Sequence, residues 1–182
     1  MIYTGIIAAL SSLDLGIKWL IEREKPEDFP KPLRHTCGKI LLYRNHNAGF
    51  PFGFLEKHGE VVRMLPLAVI SGLFGFLTAL LPQKGKRVQK IGIAIILGGA
   101  ISNLYDRLVR RYVVDYFSIQ CGKLKEVVFN LGDIFVFLGS GILFTAEVIK
   151  EIRGVFPKET SLLSEQRANS IKSLVDSGQE TM

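Results

Sequence analysis

Two aspartates stand in surroundings that set them apart. Asp115 lies inside the apolar run Tyr112-Val113-Val114-Asp115-Tyr116-Phe117, where desolvation raises a carboxyl's pKa. Asp133 directly precedes the apolar block Ile134 to Ala146, and a helix N-terminus there complements its negative charge. Carboxyls in opposed environments keep an acid and a base in one site. At close range they share a proton, and the apparent pKa values belong to the pair. The ionised member can then take a proton from a water attacking a peptide carbonyl while the protonated member polarises that carbonyl. No Ser or Cys nucleophile with a His partner is placed to compete. The three histidines (His35, His46 and His58) are 11 and 12 residues apart, and Cys37 and Cys121 show no C-x-x-C spacing. No zinc site is expected, and the cysteines are either one disulfide or two unrelated thiols.

The elements that must carry these residues are apolar. The chain has 182 residues, 48% hydrophobic and 22% charged, with 12 Phe, 5 Tyr and 1 Trp. Such a composition excludes disorder for most of its length. The blocks are Met1 to Ile21, interrupted by Asp14 and Lys18; Met64 to Gln83, 20 residues without a charge; Ile91 to Tyr105; and Ile134 to Ala146. A span needs about 20 apolar residues, and only the second block meets this outright. The remaining charge-free runs of 13, 15 and 13 residues also suit buried helices of a soluble protein. Extending each by one turn past its charges restores a span and leaves the charges near helix ends, where they cost less. The fold class expected is therefore an all-α polytopic membrane protein with four transmembrane helices. Strand-like stretches at Lys39 to Tyr43, Phe50 to Leu55, Tyr112 to Ile119 and Val127 to Phe129, with an Asn/Gly turn at Asn45–Gly49, add a small sheet at the outer surface.

Net charge is +6. The densest basic cluster, Lys84-Gly85-Lys86-Arg87 with Lys90, falls between apolar blocks without an aromatic stacking platform, which argues against nucleic acid. By total, the stretches 22–60 and 107–129 hold 12 Lys and Arg against 9 in 82–90 plus the tail from 150. By density the order reverses, with 4 in the nine residues 82–90. Short loops weigh more in the positive-inside rule, so both termini are placed in the cytoplasm. With no basic residue before Lys18, the first block reads as a retained helix rather than a removed signal peptide.

This topology carries the polar residues to one membrane level. Asp14 and Lys18 fall in the outer half of the first span, and Asn103, Asp106 and Arg107 at the outer end of the third. Asn130 and Asp133 stand at the outer start of the fourth, with Asn45 and Asp115 in the outer loops. Simpler roles also fit. Asp14 and Lys18 are an i, i+4 ion pair, and Asn130 is an N-cap. Asn103 and Arg107 can tie helices together, Asp106 can pair with an Arg, and Gly98-Gly99 allows close helix approach. A small transporter or channel also explains intramembrane charges, but predicts them spread through the membrane depth. An inactive relative that binds lipid or peptide is a third reading.

At these residues the chain resembles the lipoprotein signal peptidases (signal peptidase II), the membrane-embedded aspartic peptidases of bacteria. The segments are Leu13-Asp14-Leu15-Gly16-Ile17-Lys18-Trp19, Arg44-Asn45-His46-Asn47-Ala48-Gly49-Phe50, Gly98-Gly99-Ala100-Ile101-Ser102-Asn103-Leu104-Tyr105-Asp106-Arg107, Val113-Val114-Asp115-Tyr116-Phe117 and Phe129-Asn130-Leu131-Gly132-Asp133. The resemblance implies a catalytic dyad of Asp115 and Asp133, with Asp14, Asn45, Asn103, Arg107 and Asn130 shaping the site and binding substrate. It also implies an extracytoplasmic β-cradle, and cleavage of prolipoproteins just before a diacylglyceryl-modified cysteine without metal or cofactor. The expected partners are that substrate and membrane lipid, the expected state a monomer, and the expected location the bacterial cell membrane. Residues 1–153 would form the peptidase domain and 154–182 a polar cytoplasmic tail without fixed structure. One loop departs from the family pattern Asn-x-Gly-Ala-Ala-Phe with a Gly soon after: Asn47 stands where Gly is expected, Gly49 replaces Ala, and Pro51-Phe52 delays the next glycine to Gly53.

Overall fold

The computed structural model describes residues 1–49 and 59–179. Its elements in chain order are α1 (Ile2–Arg23), β1 (Lys31–Pro32), β2 (Ile40–Asn47), α2 (Gly59–Leu80), α3 (Arg87–Tyr105), β3 (Val113–Ile119) and α4 (Leu131–Gln179). The strand-like stretch Phe50 to Leu55 lies outside the described residues.

Helix α1 is inside out. Its buried residues, Ile7, Ser11, Asp14, Lys18 and Ile21, recur every three or four positions and include all the charges of its middle, while Leu13, Trp19 and Leu20 are exposed. An apolar outer face and a polar inner one suit a helix whose solvent is lipid. Helix α3 packs against both α1 and α2, and its small residues permit the closest contacts. A Cβ on Gly98 would lie 2.8 Å from the Cβ of Leu10, and one on Gly99 would lie 2.1 Å from the carbonyl oxygen of Gly132 at the start of α4. Ile7, Ile70, Leu77, Leu80, Ile93, Ala94, Leu97 and Leu104 form the apolar core between the helices.

Three helices are long and apolar enough to cross a membrane, over Ile2–Arg23, Arg87–Arg110 and Leu131–Gly154, and Met64–Leu80 is a shorter apolar helix. Helix α2 itself runs over Gly59–Leu80, 22 residues, so the second block also forms one continuous helix. Pro82 disfavours helical geometry at Leu81, so α2 stops at Leu80, and Lys90 reaches back to donate to the carbonyls of Leu81 (2.9 Å) and Gln83 (2.7 Å). The third block instead lengthens, because Asp106–Arg110 continues α3 as a π-helical turn. That turn closes at Arg111, in the left-handed region (φ 73°), whose N–H donates to the Asp106 carbonyl.

The sheet is antiparallel in the order β1-β2-β3. Strand β2 runs on through Asn45, His46 and Asn47, where a turn was expected from the composition. Between Leu42 and Asn45 it carries one residue more than β3, a bulge that lets pairing resume with Asn45 opposite Asp115, His46 opposite Val114 and Asn47 opposite Val113. Phe129 bridges to Phe117 from the far side of β3. Val114 and Tyr116 pack with Ile21 of α1, so that sheet face is turned to the helix.

Contacts divide the chain into two units, Met1–Leu143 and Phe144–Met182. Helix α4 continues through Gln179. Leu163, Ile171, Leu174 and Val175 recur at helical spacing, a pattern that the polar average of the segment conceals.

Candidate active site

The site is built around an asparagine that holds both aspartates. Asn130 caps α4: its Oδ1 accepts the N–H of Asp133 (2.9 Å), and its own N–H donates to Asp133 Oδ2 (3.2 Å). This is the reciprocal capping arrangement, written locally in Asn-Leu-Gly-Asp. The remaining amide group of Asn130 donates to Asp115 Oδ1 at 2.7 Å. Fully buried Asn130 thus ties a carboxylate on a strand to one on a helix start. Gly132 is required beside it, since a Cβ there would lie 3.0 Å from both Asn130 Oδ1 and Asp14 Oδ2.

Each carboxylate has a second donor. Asn103 Nδ2 donates to Asp133 Oδ1 at 2.9 Å, and Asn47 Nδ2 to Asp115 Oδ2 at 3.1 Å. The direction of every amide is set by an obligate donor on its other end. Lys18 Nζ donates to Asn103 Oδ1 (2.7 Å), the N–H of Gly49 to Asn47 Oδ1 (3.0 Å), and the N–H of Asp133 to Asn130 Oδ1. All three asparagines therefore aim N–H groups at the aspartates. Burial, and secondly the negative charge of Asp133, push Asp115 up to about 6, against the pull of the two asparagine donors and of Lys18.

Behind this layer lies a charge network that contains α1. The fully buried Lys18 ammonium meets Asp14 Oδ2 at 2.8 Å and Asp106 Oδ2 at 3.0 Å, and Arg110 meets the other oxygen of Asp106 at 2.9 Å. Asp14 also accepts from Ser102 Oγ (2.5 Å) and from the Tyr116 hydroxyl (2.9 Å), which itself accepts the N–H of Leu131 (2.9 Å). Burial and the charge of Asp14 hold the Tyr116 phenol well above its ordinary pKa, so it remains a donor. Two carboxylates, an ammonium and a guanidinium balance, the condition under which buried charges persist.

The structure therefore links Asp14, Asn103, Asn130, Asp115 and Asp133 through hydrogen bonds. Arg107, half-buried, donates to the carbonyls of Asn103 and Gly49 (both 3.4 Å). Asn45 is opposite Asp115 in the ladder but exposed, and the amide that reaches Asp115 is that of Asn47. The signal for Asn47 was present: read two residues further on, Asn47-Ala48-Gly49-Phe50-Pro51-Phe52-Gly53 supplies Asn-x-Gly-x-x-Phe followed at once by Gly, with no displaced glycine. Ser102 and Tyr116 carried no comparable signal, because a hydroxyl in an apolar run has no spacing rule. Among the described residues no group of His, Cys, Asp and Glu is arranged to hold a metal ion.

This arrangement of helices and sheet matches bacterial membrane enzymes solved in lipidic mesophase. One superimposes with a TM-score of 0.69 at 17% identity, covering 84% of this chain and 90% of the other. A second gives 0.65 at 18% identity, covering 79% and 90%. The chain thus shares the fold of these two structures. At the level of sequence, the family model described as signal peptidase (SPase) II matches residues 6–149. The lipoprotein signal peptidase of Mesorhizobium japonicum is 30% identical over 147 residues, 81% of this chain and 85% of that protein. That of Brucella ovis is 32% identical over 149 residues, 81% and 89% of the two chains. The chain belongs to the signal peptidase II family, and it is a peptidase.

Proposed function

We propose that Asp115 and Asp133 are the catalytic pair of this signal peptidase II, and that its substrate is a prolipoprotein cut just before a diacylglyceryl-modified cysteine. The observation that carries the reading is Asn130, whose one side chain and backbone hold both carboxylates. A water held by the ionised carboxylate gives up a proton as its oxygen bonds to the scissile carbonyl carbon, while the other carboxyl donates to the carbonyl oxygen. The C–N bond then breaks, the leaving nitrogen takes a proton, and the products are the signal peptide's carboxylate and the free amine of the lipidated cysteine. No metal or cofactor takes part in these steps.

The remaining site residues divide by what they touch. Asp14, fully buried, and Asn103 act as positioning residues, while half-buried Arg107 and exposed Asn45 face the substrate. Asn47 supplies an amide to Asp115 and joins the positioning residues. We further assign four spans, counting α2, with both termini in the cytoplasm of a bacterial cell and the site at the outer boundary, where membrane lipid meets the cleavage point. We read the enzyme as a monomer. The test is separate conversion of Asp115→Asn and Asp133→Asn, with cleavage of a diacylglyceryl-modified precursor measured in detergent. Each variant should lose at least about a thousandfold in kcat while still unfolding cooperatively; turnover near wild type would remove that aspartate from the mechanism.

A further inference from the structure

Away from the dyad, one carboxylate gathers donors that the chemistry above does not use. Glu22, on the last turn of α1, accepts from Arg44 (Nε to Oε1 3.3 Å, Nη2 to Oε2 3.4 Å) and from the Tyr112 hydroxyl (3.3 Å), and its Oε1 lies 2.8 Å from His46 Nε2. The His46 and Tyr112 rings stack with centroids 4.0 Å apart, and Arg44 Nη1 also donates to the Glu24 carbonyl at 3.0 Å. Side chains alternate along a strand, so Arg44 and His46 occupy the face of β2 opposite to Asn47. They lie against α1 while Asn47 faces Asp115.

The positions of these tethers give them a consequence. His46 immediately precedes Asn47, and Tyr112 immediately precedes Val113; Asn47 and Val113 are the last paired residues of the β2–β3 ladder at this end. Terminal rungs open most readily, and here the terminal rung carries the amide that donates to Asp115. We propose that Glu22 is a positioning residue: by gathering Arg44, His46 and Tyr112 it clamps this rung from behind and keeps the Asn47 amide on Asp115. The inference rests on the catalytic reading of Asp115.

The test uses full-length enzyme carrying Glu22→Ala, Glu22→Gln, Asn47→Ala and the Glu22→Ala/Asn47→Ala pair. In hydrogen-exchange mass spectrometry, peptides spanning 40–47 should exchange about tenfold faster in Glu22→Ala. Loss of the Asn47 donor lets Asp115 hold its proton more tightly, so the basic limb of the kcat/KM profile, where the protonated member of the pair is lost, should move to higher pH. Asp133, Lys18 and Arg107, the charges that face Asp115, stay in place in every variant. Glu22→Ala should move the limb in the same direction as Asn47→Ala, Glu22→Gln by less, and the double variant no further than Asn47→Ala alone. A generally weakened fold would lower the amplitude and leave the limb where it was. A stationary limb in Glu22→Ala, or shifts that add in the double variant, would overturn the proposal. If Asp115→Asn keeps its turnover, the catalytic reading fails instead, while the exchange measurement still reports on the clamp. Should Glu22→Ala not fold, Glu22→Gln decides by the same two measurements.

Discussion

At the scale of single residues, the site depends on donors whose direction cannot be reversed. An ammonium can only donate, so Lys18 fixes which end of Asn103 meets Asp133; backbone N–H groups do the same for Asn130 and Asn47. Asp115 is the member whose acidity is legible from outside. Burial raises it from 3.8 to about 6, so the native state holds this proton more tightly than the unfolded chain. The resulting stabilisation is complete below the unfolded value and is lost as pH rises through the folded one, a change of about 3 kcal/mol. Thermal unfolding in detergent should therefore show Tm falling between about pH 4 and pH 6, with a shallower slope in Asp115→Asn; parallel slopes would mean that Asp115 does not titrate there. Asp115 could be singled out from the sequence because its neighbours are apolar. Asn47 was legible only when the motif is read two residues further on, and the bulge in β2 places that asparagine's amide on the carboxylate.

At the scale of elements, glycines determine how closely the helices carry these groups to one another. The pair Gly98-Gly99 suggested a close approach from composition alone, and the structure supplies the partners: Leu10 of α1 on one side and the Gly132 carbonyl at the start of α4 on the other. Gly99→Ala would drive its Cβ to 2.1 Å from a backbone oxygen, which no rotamer can relieve. The helices must separate where Asn130 and Asp133 are placed. The variant should lose roughly 1–3 kcal/mol of stability and most of its kcat, whereas Gly75→Ala, which meets nothing within 4 Å, should leave both unchanged. Equal Tm values for the two would refute the contact. Element ends were less legible. The π-helical turn at Asp106–Arg110 closes on the Arg111 N–H and the carbonyls after α2 are met by Lys90, contacts that apolar block length does not specify.

At the scale of the whole molecule, the four-span reading makes a direct prediction. Reporter domains fused after residues 60, 86, 122 and 160 should lie outside, inside, outside and inside; identical placement of the first two would remove α2 as a span. That the chain prefers a membrane, that its costly polar residues gather at one level, and which two carboxyls could do acid–base chemistry all follow from the amino-acid order, because apolar block length and flanking charge are local properties. Only the folded chain decides that Asn47 rather than Asn45 reaches Asp115, that Lys18 orients Asn103, and that Glu22 secures the end of the sheet. Each of these joins residues tens of positions apart, and hydrogen bonds at such separations depend on strand register and helix approach, which no stretch of sequence specifies alone.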